Sequence, residues 1–127
     1  MLTASAERWV TARPGHDIAI LMRPQEVPIM LPVTAPLIGV FDGRHELFHQ
    51  RYMEIVPGTI LLLATDGITE ARDQSGELFG SDRFLESAAR NRDGSMSDLA
   101  KNIIANALRC SDGSVTDDIA VLAARFN

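Results

Sequence analysis

The sequence predicts a single domain of the α+β class, and three observations support that prediction. The chain has 127 residues, of which 46% are hydrophobic and 23% are charged, values typical of one globular domain with its own core. A continuous apolar run bounded by turns predicts a buried strand at Thr59–Ala64. Two segments with helical spacing follow, and an apolar segment ends the chain. Strands followed by a helical pair and a last strand are typical of the α+β or sandwich class.

The N-terminal third is predicted to contain short strands and irregular connections. Trp9–Thr11 and Ile18–Arg23 have the composition of two strands around a turn at Pro14-Gly15. A proline-rich stretch follows, and because each proline removes a backbone donor it is predicted to be a connection or a broken edge strand, in which Ile29–Val33 can still pair briefly. Gly39–Arg44 is predicted to be a loop.

The middle of the chain contains one ambiguous segment and one clear strand. Apolar residues within Glu46–Ile55 can line one side of a helix, but the segment fits a strand equally well. Pro57-Gly58 then predicts a turn into Thr59–Ala64. That strand delivers Thr65-Asp66-Gly67 at its C-terminal end.

Two helices and a last strand are predicted in the C-terminal third. The first helix is expected over 81–90, and the second begins after Ser95, a capping residue with Asp98 three positions later. The apolar stripe of the second helix predicts core packing and comprises Met96, Leu99, Ala100, Ile103, Ile104, Ala107 and Leu108. Ile119–Phe126 is the last predicted strand, and Asp117-Asp118 lead into it.

Composition argues against several function classes. The formal net charge of −5 disfavours nucleic acid as the main partner, because phosphate backbones attract basic surfaces. No apolar run approaches the roughly 20 residues that span a bilayer, and no signal peptide is evident, so the sequence predicts a cytoplasmic protein that binds no membrane. Cys110 is the only cysteine, which excludes an internal disulfide and suits a small buried residue better than a catalytic thiol.

Carboxylates stand beside two of the predicted strands. Asp66 follows the buried strand, and Gly67 after it leaves room for other groups to approach. Asp117 and Asp118 precede the last strand, where adjacent carboxylates repel each other unless a cation or donors compensate. Taken singly, each site fits a turn aspartate that bonds its own backbone or points into water. If the two strands are neighbours, however, the acids converge into an oxygen-rich site for Mg²⁺ or Mn²⁺.

A second pattern points to different chemistry. His45-Glu46-Leu47-Phe48-His49 matches the zinc-protease motif H-E-x-x-H, in which two histidines one helical turn apart bind Zn²⁺. The motif requires a helix here and a third ligand, for which Glu70 can be proposed without specific support. The chain is also short for the domain that such enzymes carry. A zinc protease is therefore the least favoured alternative.

The order of the motifs resembles a known family. The chain reads VTARPGHDIAILMRP, APLIGV, MEIVPGTILLLATDGITEARDQSGELFG and TDDIAVLAAR, in that order. This is similar to the second half of the SpoIIE-like metal-dependent serine/threonine phosphatases of the PPM (protein phosphatase type 2C) superfamily. The resemblance covers nearly the whole chain and implies the C-terminal part of a PPM-type α-β-β-α sandwich. It implies that residues 1–127 are a partial phosphatase domain whose N-terminal half is absent.

The resemblance also implies a role for each matched acid. Asp66 occupies the position of a metal-binding aspartate, Asp117 that of the final metal-binding aspartate, and Asp118 is its neighbour. In the family such acids help hold Mn²⁺ or Mg²⁺, and the metal centre activates water to attack a phosphoserine or phosphothreonine. The implied partner is a phosphorylated protein in bacterial signalling, for example an anti-sigma factor antagonist.

The chain departs from the family pattern in three places. Arg13-Pro14 replaces the usual residues before Gly15-His16, and Thr59 stands where an aspartate usually follows Pro-Gly. The family's upstream half, roughly 100 residues that include an aspartate bridging the metals, has no match here. We therefore expect weak or no phosphatase activity from this chain alone. It is either a fragment of a full enzyme or a non-catalytic relative that binds a partner, and uncovered apolar surface would favour a homodimer.

Overall fold

The computed structural model describes residues 7–11 (backbone only), 18–34, 49, 51–114 and 116–127. Within these residues the chain forms six strands and three helices. The strands are β1 (Glu7–Thr11), β2 (Ile18–Met22), β3 (Ile29–Met30), β4 (Arg51–Ile55), β5 (Ile60–Ala64) and β6 (Val121–Arg125). The helices are α1 (Asp66–Thr69), α2 (Gly80–Arg90) and α3 (Met96–Cys110). The α+β class predicted from the sequence is confirmed.

An antiparallel sheet of four strands in the order β3-β2-β5-β6 forms the centre of the fold. Every residue of β2 is buried, as expected for an apolar strand with neighbours on both sides. Ile20 pairs with Leu62 of β5, and Leu62 pairs in turn with Ala123 of β6. The strand β5, which leads into the first acidic motif, and the strand β6, which follows the second, are therefore direct neighbours.

The two long helices cover one face of this sheet. Phe84 of α2 and Leu99 and Ile103 of α3 are fully buried against Ile20 and Leu62. Helix α3 begins as predicted, because the Ser95 hydroxyl accepts a hydrogen bond from the Asp98 N–H at 3.0 Å. The predicted helices thus form the main hydrophobic core together with the inner face of the sheet.

The opposite face of the sheet, which we call the outer face, is only partly covered. Ile55 and Met53 of β4 pack against Ala19 and Leu21 of β2 in a second, smaller core. Leu63 and Leu122 lie beyond that core, and they are directly opposite each other in the β5–β6 ladder. Their side chains are 37% and 55% exposed. An apolar pair therefore remains accessible to solvent on the outer face, where β5 meets the last strand of the sheet.

Strand pairing at the N-terminal end differs from the simplest expectation. β1 does not pair with β2 across the predicted Pro14-Gly15 turn but with β4, in an antiparallel two-stranded sheet that runs from Glu7↔Ile55 to Thr11↔Arg51. The last five residues of the ambiguous segment Glu46–Ile55 form a strand, β4. Of the H-E-x-x-H motif, only His49 lies within the described residues, and it is exposed. His16, His45 and the predicted turn at Pro14-Gly15 lie outside them.

None of the helices in the described ranges combines the length and the apolar character that a membrane-crossing segment requires.

We expect Leu62→Ala to destabilise the fold far more than Leu63→Ala. Leu62 is fully buried between the sheet and the helices, whereas its neighbour on the same strand faces the outer side. A leucine-to-alanine change in a packed core costs about 2–5 kcal/mol. Urea titrations of both variants measure the difference in unfolding free energy, and equal losses would contradict this orientation of β5.

Asp73 makes the loop between Arg72 and Leu78 sensitive to acid. Its Oδ1 accepts hydrogen bonds from the Ser75 hydroxyl at 2.6 Å and from the N–H groups of Ser75 and Glu77, both at 2.9 Å. These bonds, the Ser75 hydroxyl first among them, lower the pKa of Asp73 below its ordinary value. Because the folded-state pKa is depressed, the stabilisation is complete above the ordinary pKa of an aspartate and is lost as pH falls through the lower folded-state pKa.

An Asp73→Asn variant is therefore expected to be less stable than wild type at pH 7, with the difference shrinking as the pH approaches 3. Urea midpoints measured across this range test the expectation. Asp93→Asn is the matched control, since Asp93 is exposed and no described residue donates a hydrogen bond to its side chain. A difference in urea midpoint between Asp73→Asn and wild type that stays constant with pH would refute the expectation.

Candidate metal centre

The ends of β5 and β6 place the two acidic motifs at one edge of the sheet. The strands are antiparallel, and their register ends at the pair Ala64↔Val121. The C-terminal end of β5 therefore lies beside the N-terminal start of β6. Asp66 follows the first and Asp117 precedes the second, so the condition under which the sequence predicts convergence of these acids is met.

Three carboxylates meet at this edge. Oxygen atoms of Asp66, Glu70 and Asp117 all lie within 4.8 Å of one another. Asp66 is half-buried, and the other two side chains are exposed. We call these three residues the acidic cluster.

Helix α1 explains how Asp66 and Glu70 come to share a face. The Glu70 N–H donates to the Asp66 carbonyl at 2.8 Å, which closes a single helical turn. Side chains four residues apart on a helix are neighbours. From the sequence, Glu70 was proposed only as a third zinc ligand, without specific support. The four-residue spacing from Asp66 was the available signal, and it becomes informative only once that turn is helical.

The other acidic motif contributes through both side chain and backbone. The Asp117 Oδ1 accepts a hydrogen bond from the Asp118 N–H at 2.7 Å, so this carboxylate is oriented by its own backbone, as the turn interpretation expected. The Asp118 carboxylate is not part of the acidic cluster, whereas its carbonyl points toward the segment that begins α1. A direct role of Asp118 in metal binding stays a prediction.

Gly67 allows the two motifs to approach each other. A Cβ at this position would lie 3.1 Å from the Asp118 carbonyl carbon and would collide with its oxygen. Gly67 is buried within α1. The glycine is therefore required for space between two backbones and not for an unusual backbone conformation.

The chemistry of the acidic cluster fits a hard divalent cation. Three carboxylates at this separation repel each other, and a cation or several donors must offset that repulsion. The Glu70 N–H and the Thr69 hydroxyl donate to the Asp66 carbonyl and not to its carboxylate, which leaves the carboxylate oxygens available. A site built only from oxygen ligands suits Mg²⁺ or Mn²⁺. Among the described residues no histidine or cysteine joins the acidic cluster, so it does not resemble a zinc-protease site.

Comparison with known proteins identifies relatives across most of the chain. The model of the family described as stage II sporulation protein E (SpoIIE) matches residues 2–127. Protein IcfG from Synechocystis sp. is 28% identical over 114 residues, which cover 89% of this chain and 18% of that protein.

Solved structures with a similar fold include phosphatase domains. The SiaA-PP2C domain of Pseudomonas aeruginosa superimposes with a TM-score of 0.73 at 22% identity, covering 88% of this chain and 44% of that one. The phosphatase domain of SpoIIE from Bacillus subtilis, presoaked with Mn, superimposes with a TM-score of 0.67 at 16% identity. The match covers 100% of this chain and 54% of that one. The structure of the RsbU and RsbW domains of Rv1364c from Mycobacterium tuberculosis superimposes with a TM-score of 0.74 at 22% identity. The match covers 96% of this chain and 33% of that one. This chain thus spans between a third and about half of the structures it matches.

Proposed function

Because this chain belongs to the SpoIIE family of PP2C-type phosphatase domains, we propose that residues 1–127 are the C-terminal part of a metal-dependent phosphoprotein phosphatase domain. The reaction is hydrolysis of a phosphoserine or phosphothreonine ester. The whole domain is larger than these residues, since the SiaA and SpoIIE structures are about twice as long as the part that this chain covers.

The acidic cluster is the observation that carries this proposal. Asp66 and Asp117 come from segments 51 residues apart in sequence, yet their carboxylates lie within 4.8 Å of each other and of Glu70. Such a concentration of negative charge costs free energy unless it serves a cation. The family position of Asp66 and Asp117 and their geometry therefore point to the same use.

Asp66, Glu70 and Asp117 would hold Mn²⁺ or Mg²⁺, and Asp118 would support Asp117 from the adjacent position. When bound, such ions activate water and neutralise the oxygens of a phosphoryl group. The protein's own contribution is to fix the carboxylates before any ion arrives. α1 holds Asp66 and Glu70 on one face, and the Asp118 N–H orients Asp117.

The protein substrate is proposed to be a phosphorylated regulator of bacterial signalling, for example an anti-sigma factor antagonist. The resemblance in motif order supports this class, and so does the fold similarity to regulatory phosphatase domains such as SiaA-PP2C and the RsbU domain. The negative formal charge of −5 is compatible with a phosphoprotein once cations occupy the acidic edge.

A non-catalytic, partner-binding role is the second candidate. It is compatible with the acidic cluster, to which the described residues contribute three carboxylates and no further ligand. A partly formed metal site can bind an ion without reaching the geometry that turnover needs.

Hydrolysis of p-nitrophenyl phosphate by the folded chain in millimolar Mn²⁺, with and without a chelator, is the first test of these candidates. Chelator-sensitive hydrolysis would support a catalytic site assembled from these residues. Mn²⁺ binding without hydrolysis would fit both a fragment of a full enzyme and a partner-binding relative, and hydrolysis that appears when the other half of a SpoIIE-type domain is added would support the fragment. A folded sample that neither binds Mn²⁺ nor hydrolyses the ester would contradict the proposed metal centre.

A further inference from the structure

The sheet ladder by itself does not bring Asp66 and Asp117 together. The register of β5 with β6 ends at Ala64↔Val121, and both acids lie beyond that pair. Three residues separate Asp117 from β6, so the segment that carries it needs another anchor. Contacts made by Thr65, the first residue after β5, provide one.

The Thr65 side chain continues the ladder where the backbone cannot. In a regular antiparallel ladder, Thr65 and Ala120 would exchange two backbone hydrogen bonds. The Thr65 N–H does donate to the Ala120 carbonyl at 3.1 Å, but the Thr65 carbonyl accepts from Ile68 N–H at 3.2 Å as the helical turn begins. The Ala120 N–H therefore donates to Thr65 Oγ1, at 3.0 Å. The Thr65 hydroxyl thus accepts the hydrogen bond that the Thr65 carbonyl would accept if it were not bonded to Ile68 in α1.

The same hydroxyl also holds the residue next to Asp117. A threonine hydroxyl can accept and donate at once. Thr65 Oγ1 donates to the Asp118 carbonyl at 2.8 Å, and the Asp118 N–H in turn donates to the Asp117 carboxylate at 2.7 Å. A chain of hydrogen bonds thus connects Thr65 to the orientation of Asp117.

Thr65 gives up a local interaction to make these contacts. It is the N-cap residue of α1, a position where a threonine hydroxyl normally accepts a hydrogen bond from the first turn of its own helix. Here the side chain makes no cap hydrogen bond. Gly67 lies against the Asp118 carbonyl, so that carbonyl is held between the two residues that flank Asp66. The local sequence favours contact with the 118–120 segment over capping of the helix.

From these contacts we propose that Thr65 is a positioning residue, which sets the Asp117 carboxylate beside Asp66 and Glu70 and thereby raises the affinity of the acidic cluster for a divalent cation. The inference rests on the proposed metal centre. It adds a residue that touches neither ion nor substrate and acts only through the backbone of Asp118.

The first test is Mn²⁺ binding to the 127-residue chain, followed by the electron paramagnetic resonance signal of free Mn²⁺. Thr65→Val keeps the shape but removes the hydroxyl, and loss of a residue that orients a metal ligand typically weakens affinity about 10–100-fold. Thr65→Ser retains the hydroxyl and is expected to bind close to wild type. The matched control is Thr69→Val, because Thr69 Oγ1 donates to the Asp66 carbonyl within α1 and does not reach the 118–120 segment.

The second test needs no metal. Exchange of the Asp118 and Ala120 amides with water, measured by NMR, is expected to accelerate in Thr65→Val but not in Thr65→Ser or Thr69→Val. Should Thr65→Val fail to fold, Gly67→Ala displaces the same Asp118 carbonyl from the other side and is expected to weaken Mn²⁺ binding with the hydroxyl intact.

The outcomes separate this inference from the function on which it rests. If Thr65→Val binds Mn²⁺ like wild type, or if its Asp118 amide exchanges at the wild-type rate, the positioning role is wrong. If wild type binds no Mn²⁺, the proposed metal centre fails, and the Asp118 amide alone decides whether Thr65 holds the Asp117 segment. The positioning role is supported if Thr65→Val binds Mn²⁺ more weakly and its Asp118 amide exchanges faster, while Thr65→Ser behaves like wild type in both measurements.

Discussion

An Asp66→Asn variant is expected to bind Mn²⁺ more than about 100-fold more weakly than wild type, because the change removes a ligand itself and residues that merely orient a ligand already contribute about 10–100-fold. Any hydrolysis of p-nitrophenyl phosphate is expected to fall to background with it. Asp66 is the half-buried member of the acidic cluster, which makes its carboxylate the least free to be replaced by water.

The stability of the same variant provides an independent measurement. Without metal, removal of one of three mutually repelling carboxylates is not expected to destabilise the fold. With Mn²⁺ at about 100 times its dissociation constant, wild type gains about 2.7 kcal/mol of stability by mass action, and the variant is expected to gain almost none. Thermal denaturation with and without Mn²⁺ measures this gain.

Two control variants make the result specific. Asp82→Asn removes an exposed acid from the first turn of α2, outside the acidic cluster, and is expected to respond to Mn²⁺ like wild type. Glu70→Gln tests the member that the sequence did not assign, and it is expected to weaken binding as well. An Asp66→Asn protein with a wild-type thermal shift would show that the ion, if any, binds elsewhere.

The elements that the sequence predicted well are those with strong local signals. β5 was expected over Thr59–Ala64 from its apolar run, and it spans Ile60–Ala64. The capping pattern at Ser95 predicted the start of α3, which begins one residue later. In both places the residues that decide the structure are adjacent in sequence, so the pattern alone was sufficient.

The features that were not predicted depend on residues distant in sequence. Nothing local to Glu7–Thr11 indicates that this strand pairs with Arg51–Ile55, because the pairing is decided by which strands remain available across about 40 residues. Likewise α1 is a single turn, too short to show periodicity, and it forms where the chain leaves β5. Its presence is what places Glu70 in the acidic cluster.

The candidate site was predictable only as a conditional statement. The motifs around Asp66 and Asp117 indicated carboxylates beside strands, and their convergence required those strands to be neighbours. The order β3-β2-β5-β6 meets that requirement. The hydroxyl of Thr65 gave no signal beforehand, because a threonine before an Asp-Gly pair is also what an ordinary helix N-cap would require.

The uncovered part of the outer face leads to the second large expected effect, which is self-association of this chain. Leu63 and Leu122 lie opposite each other in adjacent strands, and β6 is the last strand of the described sheet. An exposed apolar pair beside an edge strand favours contact with a second copy. The four-stranded sheet of a partner can bury this surface just as a second sheet layer would.

A Leu63→Lys/Leu122→Lys double variant is therefore expected to shift the chain from dimer to monomer in sedimentation velocity at micromolar concentrations. Full burial of a leucine contributes about 1.5–3 kcal/mol, so the loss of two on one subunit alone weakens association by more than about 100-fold. Val27→Lys is the matched control, because Val27 is 81% exposed and lies outside both hydrophobic cores. Binding of a hydrophobic dye should fall in the double variant and not in the control. A wild-type chain that sediments as a monomer and binds no dye would contradict the expectation.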